Sequence, residues 1–118
     1  MRTIVVDDEP LMLKSFMRCS AEVPEINVIA QFENPEKALA FAKDNPFELA
    51  VLDIQMPKMS GIDLAVKLRE LYPELLVVFI SAFDEYVRDS NAIGGDDYIV
   101  KPYKKETIER MARKMALL

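Results

Sequence analysis

The 118-residue sequence predicts an α/β fold, a three-layer sandwich around a five-stranded parallel sheet. Two observations lead there. Short runs that are apolar at every position recur along the chain, as strands buried on both faces require. Segments of helical periodicity alternate with them, which implies right-handed βαβ units.

The elements follow in order. Ile4-Val5-Val6 is β-branched and stops at Asp7-Asp8. Residues 11–23 read as a helix starting near Pro10. Ile26 to Phe32 is more mixed and suits a strand nearer an edge. Asn34-Pro35 is a cap and first-turn pair for a helix carrying Ala38, Phe41 and Ala42 on one face, which Asp44-Asn45-Pro46 ends. Leu49-Ala50-Val51-Leu52 is the third strand and stops at Asp53. Ser60 caps the next helix, whose stripe is Ile62, Ala65, Leu68 and Tyr72. Leu75 to Ile80 is the fourth strand and stops at Ser81. Residues 84–93 are expected to be helical, although Asp89, Ser90 and Asn91 are poor formers, and Gly94-Gly95 ends the segment. Tyr98-Ile99-Val100 is the last strand and stops at Lys101-Pro102. Ile108, Met111, Ala112 and Met115 have helical spacing in the final segment.

Composition narrows the function. The length suits one domain spanning 1–118. A net charge of −5 argues against direct nucleic-acid binding, which needs clustered Lys and Arg. Cys19 alone cannot make an internal disulfide, no run approaches the roughly 18 apolar residues of a membrane span, and Met1-Arg2 leads straight into a strand, so a cytoplasmic protein is expected. The absence of histidine removes imidazole-activated nucleophiles and imidazole zinc sites. Any chemistry falls to carboxylates, hydroxyls and lysines.

Asp7, Asp8, Asp53, Ser81 and Lys101 each lie at or just past the end of an expected strand. In an open α/β sheet that edge binds ligands where the strand order reverses. Three carboxylates converging there repel by roughly 3 kcal/mol per pair at about 5 Å and an effective dielectric near 20. They call for a proton or a cation, and oxygen ligands suit Mg²⁺, with Mn²⁺ as the alternative ion. Asp8 and Asp53 are the expected direct ligands, Asp7 binds directly or through water, and the Gln55 backbone carbonyl adds a further oxygen. Blander readings stand beside these: Asp7-Asp8 or Ser81 as helix caps, Lys101-Pro102 as an ordinary strand end, and Tyr98 as sheet packing.

The strings Val6-Asp7-Asp8-Glu9-Pro10, Leu52-Asp53-Ile54-Gln55-Met56-Pro57 with Gly61, Ser81-Ala82, and Asp97-Tyr98-Ile99-Val100-Lys101-Pro102 resemble the receiver domain of two-component response regulators, over essentially the whole chain and in order. The resemblance implies a CheY-like, flavodoxin-like strand order 2-1-3-4-5 with five helices. It implies that Asp53 accepts a phosphoryl group from a phosphohistidine of a sensor histidine kinase, with Ser81 and Lys101 stabilising it. Ser81 and Tyr98 would form the switch, Pro57 and Gly61 would shape the turn after the acceptor strand, with Gly61 supplying backbone freedom, and Lys101–Pro102 would be cis. The chain would be a regulatory phospho-acceptor with slow autodephosphorylation rather than an enzyme. A homodimer would use the fourth and fifth helices and the last strand, and a C-terminal DNA-binding output domain would make it a transcription regulator.

Ser81 stands where many members carry Thr, and Gly94-Gly95 where Gly-Ala is usual; Asp84 and Glu85 have no assigned role. Signalling without phosphorylation is the competing reading. A flavin protein is disfavoured because Asp7-Asp8-Glu9 repels phosphate, and an aspartate phosphatase because the Asp-x-Asp pattern after the first strand is missing.

Overall fold

In the computed structural model, which describes residues 1–84 and 93–118, the strands are β1 (Arg2–Val6), β2 (Asn27–Phe32), β3 (Leu49–Asp53), β4 (Leu76–Ser81) and β5 (Asp97–Val100). The helices among the described residues are α1 (Pro10–Ser20), α2 (Pro35–Asp44), α3 (Gly61–Leu71) and α4 (Lys105–Ala116). The helix expected over 84–93 falls almost wholly outside the described residues.

All strand pairs are parallel, as the buried apolar runs predict, and the order is β2-β1-β3-β4-β5, as the resemblance implies. Alternate residues of the buried strands serve opposite layers. Ile4, Val6, Ala50, Leu52, Val77 and Phe79 pack with Ala38 and Ala42 of α2 and Leu64 and Leu68 of α3. Val5, Val51, Val78, Ile80 and Ile99 face the other way, onto Leu13 and Phe16 of α1 and Ile108, Met111 and Met115 of α4. β2 lies at an edge and is only half-buried, which explains its mixed composition.

Local chemistry sets most boundaries. The Asn34 side chain accepts from Lys37 N at 2.9 Å and Ser60 Oγ from Asp63 N at 3.1 Å, so both expected caps form. α1 stops at Ser20, short of the expected 23. Val23 N donates to Ser20 O (3.0 Å) in a turn, and Pro24 disfavours helical backbone at Val23. Glu9 holds the cap position of α1 without a side-chain cap bond, and Asp7 Oδ1 accepts from Glu9 N at 2.9 Å just ahead of the helix.

The loop after β3 corrects one expectation. Gly61 is not the residue with unusual backbone; that is Lys58, at φ 72°, the centre of a three-residue turn closed by Met59 N donating to Pro57 O at 2.8 Å. Gly61 is required for another reason. A Cβ there would lie 2.2 Å from the carbonyl oxygen of Asp53 and 2.9 Å from its carbonyl carbon. The start of α3 therefore presses directly on the end of β3, and Gly61 N donates to Ile54 O at 2.9 Å.

The approach to β5 is clamped. The Arg69 guanidinium donates to the Leu75 and Gly94 carbonyls and pairs with Asp96 Oδ2 at 2.9 Å; the same oxygen accepts from Val77 N. Gly94 is at φ 87°, a conformation that favours glycine.

Candidate acidic phospho-acceptor site

Register places the site. Val6 is level with Leu52 across the β1–β3 pair, so Asp7 and Asp53, each one residue on, emerge side by side at the carboxyl edge. That is where the strand order reverses, since β2 lies on one side of β1 and β3 on the other. Asp53 is level with Ile80, which puts Ser81 one step beyond; Ser81 is level with Val100, which brings Lys101 in behind it. The Lys101–Pro102 peptide is cis.

Four of the acids converge. Carboxylate oxygens of Asp7, Asp8, Glu9 and Asp53 all lie within 4.8 Å of one another. Asp7 and Asp53 are each 4% exposed. The Lys101 ammonium reaches into the group, 2.9 Å from Asp7 Oδ2, 3.0 Å from Glu9 Oε1 and 3.4 Å from Asp53 Oδ2. Among the described residues, with every group ionised, four carboxylates face a single ammonium. Gln55 N donates to Asp53 Oδ1 at 3.3 Å, so the loop backbone lies against the Asp53 carboxylate while the Gln55 side chain is exposed.

Ser81 is fully buried, and its hydroxyl accepts from Phe83 N at 3.1 Å. Tyr98 lies on β5. Its half-buried ring packs on the core and its hydroxyl donates to Phe83 O at 2.8 Å, which ties β5 to the stretch after Ser81. Pro57 is exposed, and its carbonyl closes the turn at Lys58. Two contributors escaped the sequence reading. Glu9 is a direct partner of Lys101, and three acids in series were the signal for it. Tyr103 stacks edge-on against Phe16 and donates to Met12 O at 3.2 Å, fastening the segment after Lys101 onto α1. Burial, with the Asp7 charge second, pushes the Tyr103 phenol up to about 12, so it remains a neutral donor.

The electrostatics are those of a site short of positive charge. Burial, and next the charge of Asp7, push the Asp53 carboxyl from 3.8 up to about 7, although Lys101 opposes the rise. Burial penalises the Lys101 ammonium, but its hydrogen bonds to Asp7 and Glu9 and the charges of Asp7 and Asp53 outweigh that and raise its pKa. The raised Asp53 value has a thermodynamic sign. Between about pH 4 and 7 the folded chain holds a proton that the unfolded chain has released, so this stability is full below pH 4 and lost as pH rises through 7. Metal-free urea unfolding is expected to show the loss, on the order of a few kcal/mol, in wild type minus Asp53→Asn. A flat difference across that window contradicts the assignment.

The donor set fits a hard divalent cation: clustered carboxylates, no sulfur or imidazole, and a carboxylic acid that a neighbouring cation would keep ionised. A cavity of about 1000 Å³ lies elsewhere, at the opposite end of the sheet, lined by Phe47, Tyr72 and Met115 among others.

The doubly wound parallel sheet thus carries a carboxylate cluster and a lysine at its switch point. The chain belongs to the response regulator receiver-domain family: the model described as "Response regulator receiver domain" matches residues 3–113. It is thus a receiver domain of two-component signalling. Among its relatives, the sensory transduction protein LytR of Staphylococcus haemolyticus is 34% identical over 115 residues, 98% of this chain and 45% of that protein. Among solved structures, the response regulatory domain of protein mrkE from Klebsiella pneumoniae is 26% identical, with TM-score 0.88 over 99% of this chain and 96% of that one. The response regulator TrrA of Thermotoga maritima, solved in complex with Mg²⁺ and BeF, is 27% identical, with TM-score 0.81 over 98% of this chain and 99% of that one. The chain spans about half the length of the curated relatives it matches. No helix among the described residues is long and apolar enough to cross a membrane.

Proposed function

We propose that residues 1–118 act as one phospho-acceptor domain in which Asp53 takes a phosphoryl group from the phosphohistidine of a sensor kinase. The observation that carries this reading is the convergence of Asp7, Asp8, Asp53 and Lys101 at the β1/β3 edge. Asp7, Asp8, Asp53 and the Gln55 carbonyl would hold Mg²⁺, or Mn²⁺ in its place. Once bound, the ion supplies positive charge to the oxygens of the transferring group.

The protein's own groups do the rest. An Asp53 carboxylate oxygen attacks phosphorus; the new O–P bond forms as the P–N bond to the imidazole breaks, and the imidazole nitrogen keeps the electron pair and takes up a proton. The Gln55 N–H holds the acceptor carboxylate in place. Lys101 already reaches Asp53 Oδ2 and would pair with a phosphoryl oxygen carried there. The Ser81 hydroxyl would donate to another. Turning Ser81 Oγ towards the phosphoryl group would give up its present bond from Phe83 N, and because Tyr98 is anchored on Phe83 O, the stretch after Ser81 and the tyrosine would move together. Water attack on the same phosphorus would return the domain slowly to its resting state.

A cytoplasmic location suits a kinase donor of this kind. A phosphorylation-dependent homodimer through the last strand, the last helix and the helix expected over 84–93 is the proposed output. Relatives at 26% identity are named transcriptional regulatory proteins, and a DNA-binding output domain in the full regulator is proposed on that ground.

The test is intact-mass measurement after incubation with acetyl phosphate. Wild type is expected to gain one phosphoryl group in Mg²⁺ and none in EDTA, and hydroxylamine is expected to remove it, as an acyl phosphate requires. No gain, or a gain indifferent to Mg²⁺, would defeat the proposal.

A further inference from the structure

We propose that Glu9 is a positioning residue that takes over Lys101 when a divalent cation displaces it from Asp7 and Asp53, and so sets the cation affinity of the site. This rests on the reading of the acidic edge as a cation-dependent acceptor centre.

An ammonium has three hydrogens to donate, and Lys101 directs its nitrogen at three carboxylates: Asp7, Glu9 and Asp53. Two of these are the buried acids to which a cation would bind. Binding it therefore draws two partners from a lysine whose side chain is only 7% exposed. A buried ammonium left without partners is costly, and that cost would be charged against the cation.

Glu9 is differently placed. Its side chain is 59% exposed, while its backbone is held at the head of α1, with Glu9 N donating to Asp7 Oδ1 at 2.9 Å and Met12 N and Leu13 N donating to Glu9 O. A fixed backbone under a free side chain lets the carboxylate follow the ammonium towards the rim. The contact at 3.0 Å becomes more important once the cation is bound, because the other two weaken.

The alternatives are that Glu9 ligates the cation directly or attracts it only as a nearby charge. Neither of these needs Lys101. A double-mutant cycle separates them, with Mg²⁺ affinity of the unphosphorylated chain read by calorimetry in wild type, Glu9→Gln, Lys101→Met and the double variant. Glu9→Gln is expected to weaken Mg²⁺ binding about three- to tenfold in the wild-type background. The loss in the Lys101→Met background is expected to be at least about threefold smaller. Equal losses, or a larger loss in the Lys101→Met background, would overturn the proposal. If wild type binds Mg²⁺ and accepts a phosphoryl group while the coupling is absent, only the role of Glu9 falls. If wild type binds no Mg²⁺, both readings fall.

Discussion

Asp53→Asn is expected to leave the fold intact and to abolish phosphoryl uptake from acetyl phosphate in Mg²⁺, a fall of about 100-fold or more. The amide is nearly isosteric with the acid, so β3 keeps its packing and Gln55 N keeps an oxygen to bond. The amide oxygen is a far poorer nucleophile, and one ligand charge is gone. The same change relieves the site. Asp53 is buried beside Asp7 at a carboxyl pushed up to about 7, so removing its charge removes repulsion that the metal-free fold bears at neutral pH. The variant is therefore expected to be more stable than wild type above pH 7 without metal, and to gain less from Mg²⁺. Loss of function with a gain in stability separates a charged acceptor from a structural carboxylate. Uptake by the variant at the wild-type level would place the acceptor elsewhere.

Gly61→Ala is the second large effect. Alanine is the better helix former by about 1 kcal/mol, and at the first residue of α3 that alone argues for stabilisation. Packing argues the other way and prevails. The new methyl would sit 2.2 Å from the Asp53 carbonyl oxygen and 3.1 Å from the Ile54 Cα, both backbone atoms at the end of β3 and just past it. No side chain can rotate away, so α3 or the end of β3 must shift, at an expected net cost of about 2–4 kcal/mol. The shift falls on Asp53 itself, so Mg²⁺ affinity should drop with stability. Urea unfolding and Mg²⁺ calorimetry on the same variant measure both. An unchanged unfolding midpoint would show that the two elements are less tightly opposed than the distances require.

Much of this was legible in the chain. Strands apolar at every position, helix caps at Asn34 and Ser60, and acids at strand ends are short-range signals, because burial on two faces and cap hydrogen bonds depend on residues a few positions apart. Two readings missed: α1 ends at Ser20, where Pro24 was a local signal passed over, and Gly61 is used for closeness rather than for backbone freedom, which only the tertiary contact with β3 reveals.

The chain by itself therefore determined the layered α/β class, the edge at which chemistry collects and the residue types available there, since those follow from periodicity and composition. Tertiary structure alone decided that Asp7 and Asp53 stand level, that the Arg69–Asp96 pair clamps the turn before β5, and that Lys101 reaches Glu9 across 92 positions and Asp53 across 48. Strand register and the close approach of α3 to β3 set those distances, and electrostatic coupling depends on distance in space, which spacing along the chain does not measure.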